Sequence, residues 1–357
     1  MTAAPLADVR PLDRAIALAH ATAAHLAHAD AGASLAYRHA ISIASVGPLP
    51  LRRVREDQAR IAATLLADLT PVLDAAWVEL EVIDGPLSTQ ERALAVAAWR
   101  AAVLPYFLRV PLGRRSLDKP LGYPGDYGMV QMIFDPPGDV GDPLGRALTQ
   151  YTAAVGPCRA HRQRRPWAIG HLAERRDVLG RPLRVLSYAC GPEHTLRTWT
   201  TDAPETRVFL YDTEPRALRW CQDRFAEQDP RTEVSAHLVE PAALTDGTVD
   251  LTAAAPVDLV LVLGLFDYLK PGDIGALVDR LVSALAPGGR LLCTNLHTTN
   301  PWRTFMEYIG AWQVRHRGQE ELTGLVVRDR KDLRVVDARL DDSGTNAYLA
   351  VERRIAL

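Results

Sequence analysis

Beyond residue 180 the sequence alternates short apolar runs with segments of helical period, and this alternation limits the fold more than any other feature. The runs are LRVLSYA (183–189), RVFLYD (207–212), EVSAHLV (233–239), VDLVLVLGL (257–265) and GRLLCTNL (289–296). Between the last two lies KPGDIGALVDRLVSALAPGG, in which Ile274, Leu277, Val278, Leu281, Val282 and Leu285 share one face. Such a face must pack on a sheet. Strands that are apolar on both faces and alternate with helices predict an α/β fold with a Rossmann-like parallel sheet covered on both sides, its ligand held at the carboxyl ends of the strands.

The first half of the chain has a different character. Apolar residues recur at helical spacing, strand-like runs are rare, and Ala, Leu and Arg dominate, which predicts a helical domain over 1–180 ahead of a sheet domain over 181–357. Ser88 and Glu91 form a capping-box pattern just before RALAVAAWRAAVLPYFL, so a helix starts there and Pro105 bends or ends it. The segment DPPGDVGDPLG (135–145) reads as a loop, and the stretch after it as helical again. A chain of 357 residues, 48% hydrophobic, is long enough for two such domains.

Composition narrows the partners. A net charge of −2 with scattered arginines lacks the basic excess that phosphate-backbone binding needs, so nucleic acid is not expected. The first residues carry Asp8, Asp13 and several histidines without a basic n-region, so no signal peptide is read there. No stretch reads as long and apolar enough to span a bilayer. The cysteines Cys158, Cys190, Cys221 and Cys293 show no CxxC spacing, and a cytoplasmic, reducing compartment is expected. The partner is expected to be a small molecule; the oligomeric state is left open.

SYACGPEHTL (187–196) is the turn after the first strand. Gly191 lies in it, and about twenty residues later Asp212 ends the second strand, where a carboxylate meets ribose hydroxyls in dinucleotide-type sites. A pyrophosphate needs close backbone approach at several glycines, and here there is one. A ligand with a ribose but no phosphate suits this turn better, and S-adenosylmethionine is the candidate. The plainer alternative makes Gly191 a tight turn and Asp212 a helix cap.

Further residues carry a family resemblance. VDLVLVLGLFDYL, followed one helix later by LAPGGRLLCTNL, resembles the fourth and fifth strands of class I S-adenosylmethionine-dependent methyltransferases. More narrowly, KPLGYPGDYGMV (119–130), LSYACGP (186–192), GLFDYL (264–269) and NPWRTFMEYIGAW (300–312) resemble the bacterial family of 3-hydroxypalmitic acid methyl ester biosynthesis proteins. The resemblance implies a class I methyltransferase sheet with a helical N-terminal lid domain. It implies cofactor contacts from Tyr127, Gly191, Glu193, Asp212, Thr213, Glu240, Gly264, Leu265, Phe266 and Asn295. Catalytic roles fall on Tyr123, Asp126, Tyr188, Asp267 and Tyr268. Such a lid would exclude water from a reactive sulfonium.

The sequence also departs from that family. Ala189 and Glu193 stand where small or glycine residues are commoner, the usual Asp-Trp after MEY is Ala311-Trp312, and QVRHRG replaces an apolar segment. Glu193 is awkward beside the cofactor's own carboxylate but would suit its α-ammonium. Two reactions fit: methyl transfer to a small or acyl acceptor, and cyclisation of S-adenosylmethionine itself to azetidine-2-carboxylate and methylthioadenosine. In the second, Tyr188, Asp267 or Glu193 would hold the amine, and Tyr123, Tyr127, Phe266, Tyr268 and Trp312 would surround the sulfonium. A catalytically silent cofactor-binding protein is a third possibility. Plainer roles exist as well: core aromatics for Tyr268 and Trp312, a turn residue for Asp126, a cap for Asn295, surface or helix-start positions for His194 and His297, and a solvated face for Arg315–Arg317.

Overall fold

The computed structural model describes residues 9–44, 51–138 and 141–355. Of the loop expected over 135–145, residues 139 and 140 lie outside the described residues, as do the first eight residues of the chain. The elements run α1 (Pro11–Ala44), α2 (Leu51–Asp84), α3 (Thr89–Ala102), α4 (Leu104–Phe107), α5 (Pro111–Asp118), α6 (Tyr127–Phe134), α7 (Pro143–Ala154), α8 (Gly156–Leu179), β1 (Arg184–Tyr188), α9 (His194–Asp202), β2 (Arg207–Asp212), α10 (Pro215–Gln228), β3 (Val234–Leu238), α11 (Pro241–Asp246), β4 (Val257–Leu263), α12 (Pro271–Ser283), β5 (Leu285–Leu296), α13 (Gln319–Val327), β6 (Leu333–Leu340) and β7 (Asn346–Arg353). They form two compact units: Met1–Cys158 with Pro301–Gln313, and Arg159–Asn300 with Val314–Leu357.

The sheet unit has strand order β3-β2-β1-β4-β5-β7-β6. The first five strands pair in parallel, and β7 runs antiparallel to both β5 and β6. This is the Rossmann-like class I methyltransferase fold. Its parallel part follows from side-chain alternation. Leu186, Phe209, Val260 and Leu291 point into one apolar layer with Ile274, Leu277, Val278 and Leu281 of α12. Val185, Leu210, Leu261 and Leu292 point into the other, with Trp167, Ala168 and Leu172 of α8, Leu196 of α9 and Phe225 of α10. Because both faces are dry, polar chemistry is confined to the strand ends.

The terminal hairpin β6–β7 has no counterpart among the five strands expected from sequence. On β6 only Leu333 is buried, so apolar alternation is too weak to announce that strand.

The division of the chain also differs from a cut at residue 180. Most of α8 joins the sheet unit because Trp167, Ala168 and Leu172 are needed to cover it. Residues 301–313 instead return to the helical unit. There Phe305 packs edge-on against Trp77 (5.1 Å between ring centroids) and Phe107 (5.6 Å). Asp84, buried at the end of α2, accepts from the Tyr308 hydroxyl (2.6 Å) and pairs with Arg92 (2.8 Å) and Arg303 (2.7 Å).

Within this unit the capping box forms as expected: Glu91 N–H donates to the Ser88 hydroxyl, and the Ser88 amide donates to Glu91. Helix α3 ends at Ala102, ahead of Pro105. One expectation is corrected. Among the described residues, the segment Val54–Asp84 of α2 is long and apolar enough to cross a membrane by length and composition. In its unit that helix carries Trp77, 1% exposed, into the aromatic cluster, and its Asp74 accepts from the Tyr151 hydroxyl of α7 (2.9 Å).

Truncating Phe305, the 8%-exposed ring that returns from residue 305 to the Trp77 cluster, leaves a cavity. Phe305→Ala is expected to cost about 3–5 kcal/mol of unfolding free energy. Denaturant unfolding followed by tryptophan fluorescence measures it; a loss below about 1 kcal/mol would show that the segment is not part of that core.

Candidate active site

Strands β1 and β4 are neighbours where the strand order reverses, the place at which open α/β sheets hold ligands. The turn leaving β1 has positive φ at alternate residues: Ala189 (52°), Gly191 (52°) and Glu193 (38°). Only one of the three is glycine. For the other two the left-handed backbone costs about 1–2 kcal/mol each, so surrounding contacts must hold it.

Those contacts are short. The Cys190 amide donates to Tyr211 O (3.2 Å) on β2, the Glu193 amide to Cys190 O (3.1 Å), and the Gly191 amide to Asp212 Oδ2 (2.8 Å). Glu193 is 5% exposed and caps α9, with Oε1 accepting the Leu196 amide (3.0 Å) and Oε2 accepting the Ser187 hydroxyl. Burial pushes its carboxyl above the ordinary range, while Ser187 and the first amides of α9 pull it back. Both oxygens are thus held inside the loop. The carboxylate that sequence placed beside a ligand ammonium braces the turn.

Asp212 ends β2 and is 6% exposed. Besides the Gly191 amide it accepts the Glu214 amide at Oδ1 (2.9 Å). Burial raises its pKa against these donors, which favour the ionised form. Each carboxylate oxygen has more than one lone pair, so acceptor capacity remains for hydroxyls. A Cβ built on Gly191 would meet nothing within 4 Å, so the space beside that backbone is open. Thr213 follows, half-buried, and Glu240 is exposed at the start of α11 after β3. An open backbone approach next to a buried acceptor at a strand end fits S-adenosylmethionine, whose ribose diol would be taken by Asp212 and whose adenosine requires no pyrophosphate cradle.

The end of β4 is packed more tightly. Gly264 has φ 109°, and a Cβ there would lie 2.6 Å from Nη1 of Arg164. Leu265, Phe266 and Asp267 form a single 3-10 turn; Phe266 is fully buried in the sheet core, whereas Tyr268 is 37% exposed. Asp267, 3% exposed, accepts the Leu296 amide (2.6 Å) and so ties β4 to β5. Asn295 uses its amide group on Leu296 O and Arg315 O (2.8 Å each) and its oxygen on Arg317 Nη1 (2.7 Å). Tyr188, 0% exposed, stacks on Tyr211 (6.3 Å), which stacks on His237 (4.5 Å), and its hydroxyl donates to Ala243 O (3.3 Å).

One surface assignment is corrected. Arg315 is exposed, but Arg317 is 2% exposed and donates to Phe266 O (2.6 Å) and Leu269 O (2.5 Å). The segment is therefore a clamp on the β4 loop and not a solvated face. His194 opens α9, and His297 is 9% exposed just after β5.

Tyr123, Asp126, Tyr127 and Trp312 belong to the helical unit. Tyr123 is 36% exposed and Trp312 9%. Asp126 caps α6, which begins at Tyr127: Oδ1 accepts the Met129 amide (2.8 Å) and Arg115 Nε (2.7 Å). Its Oδ2 is buried without a partner among the described residues. A Cβ on Gly128 would fall 2.6 Å from the same Arg115 guanidinium. Sequence reasoning missed Ser187, Arg164 and Arg317. The available signal for Arg164 was its place on the i, i+4 stripe Ala160–Arg164–Ala168–Leu172, a charge on an apolar face.

Residues 185–289 match the family model described as a methyltransferase domain. This part of the chain is an S-adenosylmethionine-dependent transferase domain, with S-adenosylmethionine as its cofactor. No curated protein matches the chain by sequence. Among solved structures the chain is similar to a protein of Bordetella parapertussis described as a possible exported protein, at 18% identity and TM-score 0.54, over 82% of this chain and 97% of that one. That likeness is one of fold. Magnesium protoporphyrin IX methyltransferase of Synechocystis PCC 6803, with bound S-adenosylhomocysteine, is 12% identical over 71% of this chain and 99% of its own, at TM-score 0.47. The N-methyltransferase NodS of Bradyrhizobium japonicum WM9 is 16% identical over 54% and 87%, at TM-score 0.38.

The Asp267 carboxyl is pushed up to about 6 by burial, against the pull of Arg164 and the Leu296 amide. A carboxyl whose pKa is raised on folding favours the native state at low pH and loses that contribution as pH rises through 6. Asp267→Asn, neutral and of the same shape, is therefore expected to gain melting temperature relative to the parent at pH 8 and to keep only about half of that advantage at pH 5. Thermal unfolding at both pH values checks it; an equal difference at the two would show that the carboxyl does not titrate in that window.

Proposed function

We propose that the chain transfers the methyl group of S-adenosylmethionine to a small or acyl acceptor, and that a carboxylate is the accepting group. The observation that carries this reading is the pairing of buried Asp212 with the Gly191 amide beneath an open turn. S-adenosylmethionine would supply an electrophilic methyl on a sulfonium. The chain's part is to bind and orient: Asp212 accepts ribose hydroxyls, Gly191 lets the adenosine approach, and the Gly264–Tyr268 loop flanks the reacting end.

A carboxylate acceptor asks least of the carboxyl groups on this side of the sheet, because it needs no deprotonation. Asp267 is buried on the Leu296 amide, and Glu193 is held by Ser187 and Leu196. A hydroxyl acceptor needs a base in reach; a carboxylate needs only alignment and a dry site. Cyclisation, by contrast, requires a deprotonated amine. Kinship with the 3-hydroxypalmitic acid methyl ester biosynthesis family, supported by the GYPGDY and GLFDYL segments, would make the product an ester.

The test is mass spectrometry of the protein incubated first with S-adenosylmethionine alone and then with added 3-hydroxy fatty acids. S-adenosylhomocysteine and a methyl ester appearing only with the acceptor support the reading. Methylthioadenosine with azetidine-2-carboxylate in its absence would replace it by the cyclase, and binding without any product by a silent sensor. Asp212→Asn removes a charged acceptor worth about 1.5–3 kcal/mol. Its affinity for S-adenosylhomocysteine, measured by calorimetry, is expected to fall by about 10- to 100-fold. Unchanged affinity would remove Asp212 from the ribose site.

A further inference from the structure

We propose that Arg164 is the receptor for the α-carboxylate of the cofactor's methionine part. The proposal rests on the S-adenosylmethionine reading of the turn and adds to it the group that grips the amino-acid end. Arg164 stands at a core position of α8: Ala160, Ala168 and Leu172 on the same stripe are all 0% exposed, and Arg164 itself is 3% exposed. An arginine in such a place must be compensated. Its Nη1 donates to Leu263 O (3.0 Å), and its Nη2 lies 3.1 Å from His161 Nδ1. Among the described residues the Nε is buried without a partner. Among the described residues no ion pair joins Arg164 to a carboxylate; Asp267 acts on it only at longer range.

Two other buried arginines of the sheet unit are compensated. Arg290 pairs with Glu174 (2.7 Å) and Glu352 (3.2 Å), and Arg317 with Glu321 (3.6 Å) and several oxygens of the β4 and β5 ends. Burial pulls the Arg164 and Arg317 guanidinium groups below the ordinary pKa, whereas the partners of Arg290 hold its pKa up. A guanidinium with an unused N–H in a dry site is a bidentate receptor short of its anion.

Its location selects the anion. Ser187 is level with Leu261 in the β1–β4 pairing, so Leu263, whose carbonyl holds Arg164, is level with Ala189 at the start of the turn. The cation therefore lies on the β4 side of the turn, and Asp212 lies on the β2 side. A ligand whose ribose rests on Asp212 and which crosses the β1 turn delivers its far end to β4. In S-adenosylmethionine that end is the amino acid. The diol meets the acceptor and the carboxylate meets the cation.

Arg175 supplies the control. It is also buried, with an unpartnered Nε, but it sits eleven residues further along α8, beside Gly288 near the amino end of β5 and away from the strand ends that carry the turn.

The experiment compares S-adenosylhomocysteine, which carries the α-carboxylate, with methylthioadenosine, which lacks the amino acid, by calorimetric titration of the full-length parent, Arg164→Met, Arg164→Lys and Arg175→Met. Arg164→Met is expected to weaken S-adenosylhomocysteine by about 10- to 100-fold. It should leave methylthioadenosine within about threefold and the ligand-free melting temperature no lower than the parent's, because an uncompensated buried charge is gone. Arg164→Lys, which keeps the charge but not the fork, should give an intermediate loss confined to S-adenosylhomocysteine, and it carries the test if the Met variant does not fold. Arg175→Met should leave the preference between the two ligands unchanged. Equal losses of both ligands at Arg164, or no loss of either, overturn the proposal. Failure of the parent to bind either ligand overturns the cofactor reading itself, an outcome distinct from a parent that binds both and a variant that does not discriminate.

Discussion

Burial of the sheet on both faces is the constraint from which the rest of this structure follows. With Leu186 and Val260 against α12 and Val185 and Leu261 against α8, no polar side chain can leave the middle of β1 or β4 without losing water on either side. Polar groups therefore collect at the strand ends, and those at the carboxyl ends are half-dry and must answer one another. Asp212 answers Gly191 and Glu214, Glu193 answers Ser187 and Leu196, and Asp267 answers Leu296. Arg317 answers a set of carbonyls. Arg164 is the member of this ring whose answer is incomplete.

The turn after β1 shows how a backbone shape can outlast the residues that usually make it. Left-handed φ at 189, 191 and 193 is kept although two of the three glycines are absent. A carboxylate at 193, reaching back to a serine at the strand end and forward to the first amides of α9, supplies the bracing that makes the strain tolerable. The unusual residues therefore hold the turn after β1 in shape and leave the space beside Gly191 open. In the helical unit the GYPGDYG stretch is explained in similar terms. Asp126 caps α6 and accepts Arg115, and Gly128 exists where any side chain would strike that guanidinium.

Much of the fold was legible. Each parallel strand was visible as an apolar run, α12 as a one-sided helix, and the α3 start as a capping box, because period and cap are properties of neighbouring residues. The buried carboxylate that meets the Gly191 amide was legible too, as Asp212 at the end of the second strand, since its distance from Gly191 is set by one strand-turn-helix-strand unit. The antiparallel β6 was hidden by its weak alternation, and its place beside β7 is set by pairing rather than pattern. The return of Phe305 to the Trp77 cluster was hidden for the same reason: it is a contact across more than two hundred residues.

By itself, then, the sequence determined the alternating elements, the two-sided apolar sheet and the chemistry available at its strand ends. Which charged groups are committed to the protein and which are left for a ligand was decided only by the tertiary structure. Arg317 could have faced water; it is turned inward because Phe266, Leu269 and Asn295, distant in sequence, are packed against it, while Glu193 is turned inward by Ser187 and Leu196, which the fold of the turn brings back onto it. Sequence periodicity records what a residue's neighbours along the chain require, whereas the compensation of a buried charge depends on every group the fold brings within a few ångströms of it.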